Sequence, residues 1–309
     1  MSNIELIALL NEKAQIESKL STLTYGSIDI REKDNKRYIY VHYRENGLQI
    51  TKYVGEYNAD LINLILSNTE IAKQLKKRLK QIDKQLKDIN YKSTTLDDKI
   101  ALNIDFARKN LPDTIYKQAI LEGVATTYSD TETIINGGKV SNMTANDIMK
   151  IINLKHAWEF VLNENVILSP TNFSLLCEIN KIILQGFYYN AGKIRTVPVS
   201  IGGTNYKPEL PFEPQIIDDI NSIKIKQISY LDKAIELLLY VMKKQIFIDG
   251  NKRTAIIFAN HLLISQGLGL IAVPSEKVEI FKSHLIAYYE GKDIETIKTF
   301  LKSECYKEL

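Results

Sequence analysis

The sequence predicts a mainly α protein in two parts. A helical hairpin carrying a small antiparallel β-sheet precedes an all-α domain with one β-hairpin flap. Three observations predict this. Apolar residues recur at steps of three and four through most of the chain, the period of helices with one buried face. Residues 28–54 instead alternate, rich in β-branched and aromatic side chains. A shorter alternation, Val197, Val199 and Ile201, ends at Gly202-Gly203.

Residues 4–20 form the first helix, with Ile4, Ile7, Leu10, Ala14 and Leu20 at helical spacing. Ile28 and Ile30 start a strand and Asp34-Asn35 turns the chain. Arg37 to Arg44 alternates, Asn46-Gly47 is a hairpin turn, and Leu48 to Val54 returns. Residues 59–90 form a long helix with a seam of Ile71, Leu75, Leu79, Ile82, Leu86 and Ile89. Pairing it with residues 4–20 makes a hairpin tipped by the meander, and such a seam also suits a dimer. Tyr38, Tyr40, His42 and Arg44 share one strand face, a mixture found where sheets contact nucleic acid. Packing of the tyrosines on the sheet, with the helix lysines solvated, is the favoured alternative.

The polar stretch 91–112 ends at Leu111-Pro112. The domains are therefore residues 1–95, a linker at 96–112, and residues 113–309. Helices follow at 113–127, at 144–163 with a cap at Thr144 or Asn146, and at 170–187 after Ser169-Pro170. Pro211 and Pro214 open another at 213–225. The last run over 229–243, from about 252 to Ser265, 275–289 and 292–303. His156 has no neighbouring metal ligand and is expected at the surface or in the core, His261 lies about two turns past Arg253, too far to substitute as a base, and His284 is expected at the surface.

Composition narrows the class. With 309 residues, 45% hydrophobic and 25% charged, the chain is ordinary for a soluble protein, and a net charge of +3 names no partner. Cys177 and Cys305 fit no metal or redox pattern. Neither a signal-peptide layout nor an apolar run of membrane length is present. The expectation is a cytoplasmic protein without membrane contact. Abundant Lys, Asn and Ile suggest a bacterial source.

The chemistry concentrates in Gln245-Ile246-Phe247-Ile248-Asp249-Gly250-Asn251-Lys252-Arg253-Thr254, between two apolar helical patterns. Gly250 and Asn251 suit a turn, and a helix starting there points free backbone N–H groups into it, an anion-binding arrangement. Arg253 adds a guanidinium fork suited to phosphate, and Asp249 a hard oxygen ligand suited to Mg²⁺.

This stretch resembles the signature of the Fic (Fido) family, His-x-Phe-x-Asp/Glu-Gly-Asn-Gly/Lys-Arg. The resemblance covers about residues 113–309. It implies a nucleotidyltransferase that moves AMP from ATP onto a hydroxyl of a target protein. Asp249 would hold Mg²⁺, and Gly250, Asn251, Lys252 and Arg253 would hold the phosphates. Gln245 stands where the family has its catalytic His, and an amide cannot take the hydroxyl proton. Lys252 is similar to the Doc branch, whose activity is phosphotransfer. Ile256 replaces a second Arg found in many members. Gly192-Lys193-Ile194-Arg195, with Val199, resembles the family's Gly-x-x-Arg-x-x-x-Val. The flap after it, at Val197, Val199, Ile201, Gly202 and Gly203, would hold a target segment by main-chain hydrogen bonds. Many Fic proteins also carry an inhibitory Ser/Thr-x-x-x-Glu-Gly/Asn helix. Its nearest match is Thr126 to Asp130, a degenerate one, with Glu132 out of register. The N-terminal unit resembles β-tipped helical hairpins preceding the Fic domain in some bacterial members.

The expected function is a Fic-type protein binding ATP or another nucleotide with Mg²⁺. Its AMP transfer is weak, altered or absent. The alternative is an inactive nucleotide-sensing or nucleic-acid-associated regulator.

Overall fold

Alternation at residues 28–54 builds a three-stranded antiparallel sheet in the order β1 (Ser27–Lys33), β2 (Lys36–Glu45), β3 (Leu48–Glu56). In sequence it lies between α1 (Asn3–Thr22) and α2 (Ala59–Asp88). This computed structural model describes residues 3–45, 48–88 and 96–309. The predicted Asn46-Gly47 turn and seam residue Ile89 lie outside the described residues. The chain divides into two compact units, Ala8–Lys92 and Ser93–Leu309, the second also taking in Ser2–Ile7.

In the first unit the period of two sorts the sheet. Ile39 and Val41 are fully buried against Ile65 of α2, with Ile28, Val54, Leu61 and Ile62 around them. Tyr43 joins this core. Tyr38, Tyr40 and Tyr53 cluster away from it, with Tyr40–Tyr53 centroids 5.4 Å apart. Arg31 lies over the Tyr40 ring. Polar groups near these rings already face carboxylates: Arg31 and the His42 ring meet Asp29, and Lys36 meets Glu56. Helices α1 and α2 are joined by Arg78, which donates twice to Glu12 at 2.6 and 2.7 Å, and by Lys13 to Asp83 at 2.8 Å. The Arg78 guanidinium holds the Glu12 carboxyl below its usual range.

The second unit is helical apart from one short ladder. Where a linker was expected at 96–112, residues Asp98–Lys109 form α3. Asp97 caps it, Ile104 and Ala107 are buried, and the Asn103 side chain bonds both backbone groups of Gly269. Polar composition hid a helix whose buried face is only a few residues wide. The helix expected over 113–127 is α4 (Leu111–Leu121), which ends earlier, and a further helix, α5 (Tyr128–Ile135), follows it. Then come α6 (Ala145–Val161), α7 (Glu164–Ile167), α8 (Phe173–Ile183), α9 (Glu213–Ile225), α10 (Tyr230–Lys244) and α11 (Asn251–Ile264). Strand β4 (Leu270–Ile271), α12 (Val278–Tyr289) and α13 (Ile294–Phe300) precede β5 (Tyr306–Lys307), which pairs antiparallel with β4. A 3₁₀ turn at Ser275–Lys277 leads into α12, and a π turn at Leu301–Cys305 follows α13.

Helix α11 is the axis of this unit. Every residue of it except Lys252 is buried, and α6, α8 and α10 pack against it. Trp158 of α6 donates to Gln118 of α4 at 2.9 Å, and Gln118 donates to the Arg253 carbonyl at 3.1 Å. Among the described residues no helix is long and apolar enough to cross a membrane.

The sheet depends on its one covered face. Ile65→Ala opens a cavity under Ile39 and Val41, and such truncations cost about 2–5 kcal/mol. Urea unfolding of the variant, followed by tyrosine near-UV circular dichroism, should show a loss of that size. A loss under about 0.5 kcal/mol would contradict the packing.

Candidate functional site

The turn between α10 and α11 is built by side chains that bond to its own backbone. Gln245 ends α10 in the left-handed region, φ 48°, a conformation costing a non-glycine residue about 1–2 kcal/mol. Hydrogen bonds hold it there. Its Nε2 donates to the Met242 carbonyl at 2.6 Å and its Oε1 accepts from Asn251 Nδ2 at 3.1 Å. Its carbonyl accepts from Arg195 Nε at 2.6 Å. Asn251 closes the loop. Its Oδ1 accepts from the Phe247 N–H at 2.9 Å, and its Nδ2 donates to the Phe247 carbonyl at 2.8 Å. Ile246 and Phe247 are fully buried and anchor the turn.

Gly250 is the N-cap of α11, with φ 74°. A Cβ there would lie 3.2 Å from Asn180 Nδ2 and 3.3 Å from Ile183 and Leu184. Asn180, on α8, donates to the Asp249 carbonyl at 3.0 Å and to Thr254 Oγ1 at 3.1 Å, and accepts from the Gly192 N–H at 3.0 Å. No side chain caps α11. Its first intrahelical bond runs from Thr254 N to the Gly250 carbonyl, so the amides of residues 251–253 have no acceptor inside the helix. They form the positive end of the helix dipole.

Charged groups gather at that end. Arg253 is 4% exposed, turned inward. Its Nη2 lies 3.3 Å from Asp249 Oδ2, and its Nε lies 3.3 Å from Glu122 Oε2. Lys252 Nζ is 3.5 Å from Glu122 Oε1. These are ion pairs of loose geometry. Arg253 Nε and Glu122 Oε1 are buried, and neither makes a hydrogen bond. Asp249 Oδ1 accepts from the Gly250 N–H at 2.6 Å, and its side chain stays about half exposed.

Glu122 is only weakly marked in the sequence. It follows the last residue of α4, with Gly123 in the left-handed region after it. The residue four before it is Gln118, where the inhibitory pattern has Ser or Thr. The Glu-Gly pair alone was the available signal. Thr126 and Asp130 lie at the start of α5. Thr127 caps α5, its hydroxyl bonding the Asp130 carboxylate at 2.8 Å, while Thr126 Oγ1 meets Thr131 Oγ1 at 3.2 Å. Glu132 bonds the Tyr128 hydroxyl.

The segment expected as a β-hairpin forms no ladder. Val197 is exposed, Val199 and Ile201 are half-buried, and Gly203 turns with φ 82°. Arg195 explains the conformation. Buried, it donates to the carbonyls of Val197 at 2.8 Å, Pro208 at 3.3 Å and Glu209 at 2.6 Å, besides Gln245. Carbonyls a ladder would use are thereby taken, and Pro198 offers no N–H. Tyr206 stacks on Tyr289 of α12 and Thr204 bonds Glu290. The sequence alone places Arg195 in a motif and Asn180 in a helix. Their roles as staples follow from contacts distant in sequence.

The remaining titratable candidates are structural. His261 is fully buried, with Nδ1 2.8 Å from Thr171 Oγ1 and Nε2 2.9 Å from the Val166 carbonyl. The carbonyl requires a proton on Nε2, so the neutral ring accepts from Thr171 at Nδ1. Burial lowers its pKa to about 4. Burial likewise pushes the Cys177 and Cys305 thiols up to about 12. Among the described residues no group of three or more His, Cys, Asp or Glu is placed to hold a metal ion.

Comparison with known proteins bears on the fold. A family model described as the Fic/DOC family matches residues 170–263, from the start of α8 nearly to the end of α11. Among solved structures, the chain is similar to Fic-1 (residues 134–508) from C. elegans. The TM-score is 0.54 at 17% identity, covering 79% of this chain and 73% of that one. A singly substituted form of the same fragment gives 0.56 at 18% identity, covering 75% and 72%. A Fic domain containing signaling protein from Bacteroides thetaiotaomicron gives 0.53 at 19% identity, covering 71% and 89%. No curated protein matches the chain.

The buried His261 makes stability depend on pH. Its folded pKa, about 4, lies below the unfolded value near 6.5. The unfolded chain therefore binds the extra proton first. This contribution is present above about pH 6.5 and is lost as pH falls toward 4. Between pH 7 and pH 5 the loss should be about 2 kcal/mol. His261→Gln should start less stable but lack that component. Urea midpoints of both proteins at the two pH values check it, and parallel decreases would refute the assignment.

Proposed function

We infer, from the Fic/DOC family segment at residues 170–263 and a fold shared with Fic-domain proteins, that the 245–254 turn binds the phosphates of a nucleotide, ATP first among them. Fic-type chemistry is AMP transfer to a protein hydroxyl. In this chain that transfer is weak, altered or absent.

One observation carries the reading: Arg253 Nε, buried beside an uncapped helix N-terminus, has no hydrogen bond. A buried guanidinium donor left unsatisfied costs about 1–3 kcal/mol or more. A phosphate oxygen would satisfy it along with the amides of residues 251–253. Asp249, about half exposed at the mouth, is the residue that would hold Mg²⁺. One protein carboxylate suffices when phosphate oxygens and water complete the shell. The metal would supply charge neutralisation for the phosphates.

The same geometry argues against efficient transfer. Gln245 has no basic pKa, and both ends of its amide are engaged within the turn. General-base catalysis contributes about 10²–10⁴-fold, so its loss leaves positioning and electrostatics alone. Asn251 has a part within the turn as well. Its carboxamide shapes the turn, which leaves phosphate contact to the backbone and to Lys252 and Arg253. Glu122 occupies the acceptor side of both cations, so a phosphate must displace it. The loop at Val197–Gly203 remains the element proposed to hold a target segment.

Calorimetry with ATP and Mg²⁺ tests binding. Arg253→Ala should weaken it about 10–100-fold, the range for a charged hydrogen bond of 1.5–3 kcal/mol. Glu122→Ala should tighten it several-fold by removing the competing carboxylate. Absence of heat with ATP, ADP and GTP, in both the wild type and Glu122→Ala, would sink the reading. Labelled ATP then separates binding from chemistry. Gln245→His should raise AMP incorporation into lysate proteins about 10²-fold or more over wild type.

A further inference from the structure

At the end of α11 away from this turn lies a cavity of about 300 Å³. Its walls come from the chain after α7, the end of α9, the first turn of α10 and the residues closing α11. That volume is at the lower limit typical of small-ligand sites. Two lysines line it, Lys224 from α9 and Lys233 from α10.

Neither lysine has a carboxylate partner among the described residues, because the neighbouring acids are already committed. Asp232 faces Lys302 at 2.6 Å and Lys298 at 3.8 Å. Glu236 faces Lys226 at 2.7 Å and Lys298 at 3.2 Å. Lys233 has only the Tyr230 ring, 4.8 Å away. Lys224 is half-buried, its proton affinity is lowered by desolvation, and its charge opposes protonation of His261. An ammonium withdrawn from water without a counter-ion is unfavourable unless a ligand supplies the anion. Leu168, Pro170 and Leu262 give the cavity an apolar wall.

We propose that this cavity is a second binding site, for a small organic phosphate. Two ammonium groups match the two charges of a phosphomonoester, and the apolar wall takes the body of the molecule. The site is independent of the nucleotide turn, since none of its lining residues belongs to that turn.

Phenyl phosphate is the probe, titrated calorimetrically into the full chain, with inorganic phosphate and phenol as comparisons. Saturable binding of phenyl phosphate is expected, at least tenfold tighter than either comparison. Lys224→Met/Lys233→Met should weaken it at least tenfold, and Arg253→Ala should leave it unchanged. In the wild type, phenyl phosphate should also slow acetylation of Lys224 by acetic anhydride, a readout that requires no variant to fold. Several results would overturn the proposal. They are absence of saturable binding, equal binding of inorganic phosphate, indifference to the lysine substitutions, loss with Arg253→Ala, or unprotected Lys224.

Discussion

The second unit depends on the Asn251 carboxamide. By bonding both backbone groups of Phe247, it fixes the path of the chain between α10 and α11. A turn fixed from inside needs no cap from outside. Helix α11 can therefore begin at a glycine, with its leading amides unclaimed by any side chain. The same carboxamide bonds Gln245, so the position that could carry a base is mechanically part of the turn. Asn180 supports the arrangement from α8, gripping the Asp249 carbonyl and the Gly192 amide with one side chain. Both asparagines hold the turn's backbone with fixed hydrogen bonds, so the turn itself is preorganised.

What was legible in the sequence follows from how local the determining contacts are. Helices α9 and α10 could be placed nearly to the residue because Pro214 and the apolar helical periodicity are local signals. The meander was legible because one buried face enforces a period of two. The signature was legible because its parts lie within ten residues. Glu122 was not, since its role depends on where α4 ends relative to α11, a contact across more than a hundred residues. The flap misled for a related reason. Val197, Val199 and Ile201 alternate as a strand would, but Arg195 draws the carbonyls of the loop inward before a ladder can form. Helix α3 was missed because its buried face includes Asn103, a polar residue whose partner is the distant Gly269 backbone.

Electrostatics around the turn are balanced without being well bonded. Two cations, Lys252 and Arg253, meet two carboxylates, Glu122 and Asp249, at 3.3 to 3.5 Å. Well-formed charge-assisted hydrogen bonds are shorter, about 2.7–2.9 Å. Charge neutrality explains why an arginine can be buried here, but the spacing leaves part of its hydrogen-bonding capacity unused. A ligand with tetrahedral oxygens can offer better angles than a carboxylate held at the end of another helix. Displacing Glu122 would then exchange one negative partner for another while improving the hydrogen bonds, and the cost of moving Glu122 sets how much of that improvement appears as affinity.

The separation of binding from chemistry follows from the same geometry. In the proposed function, phosphate capture would draw on backbone amides, whose positions are fixed by Asn251 and Gly250, and on Arg253, whose stem is buried in α11. None of these depends on the chemical nature of residue 245 beyond its ability to adopt the left-handed conformation and accept from Asn251. A glutamine meets both requirements. Proton removal, in contrast, depends entirely on that side chain. A substitution there would abolish proton removal without touching the atoms proposed to hold phosphate, because the two draw on different atoms of the same ten residues.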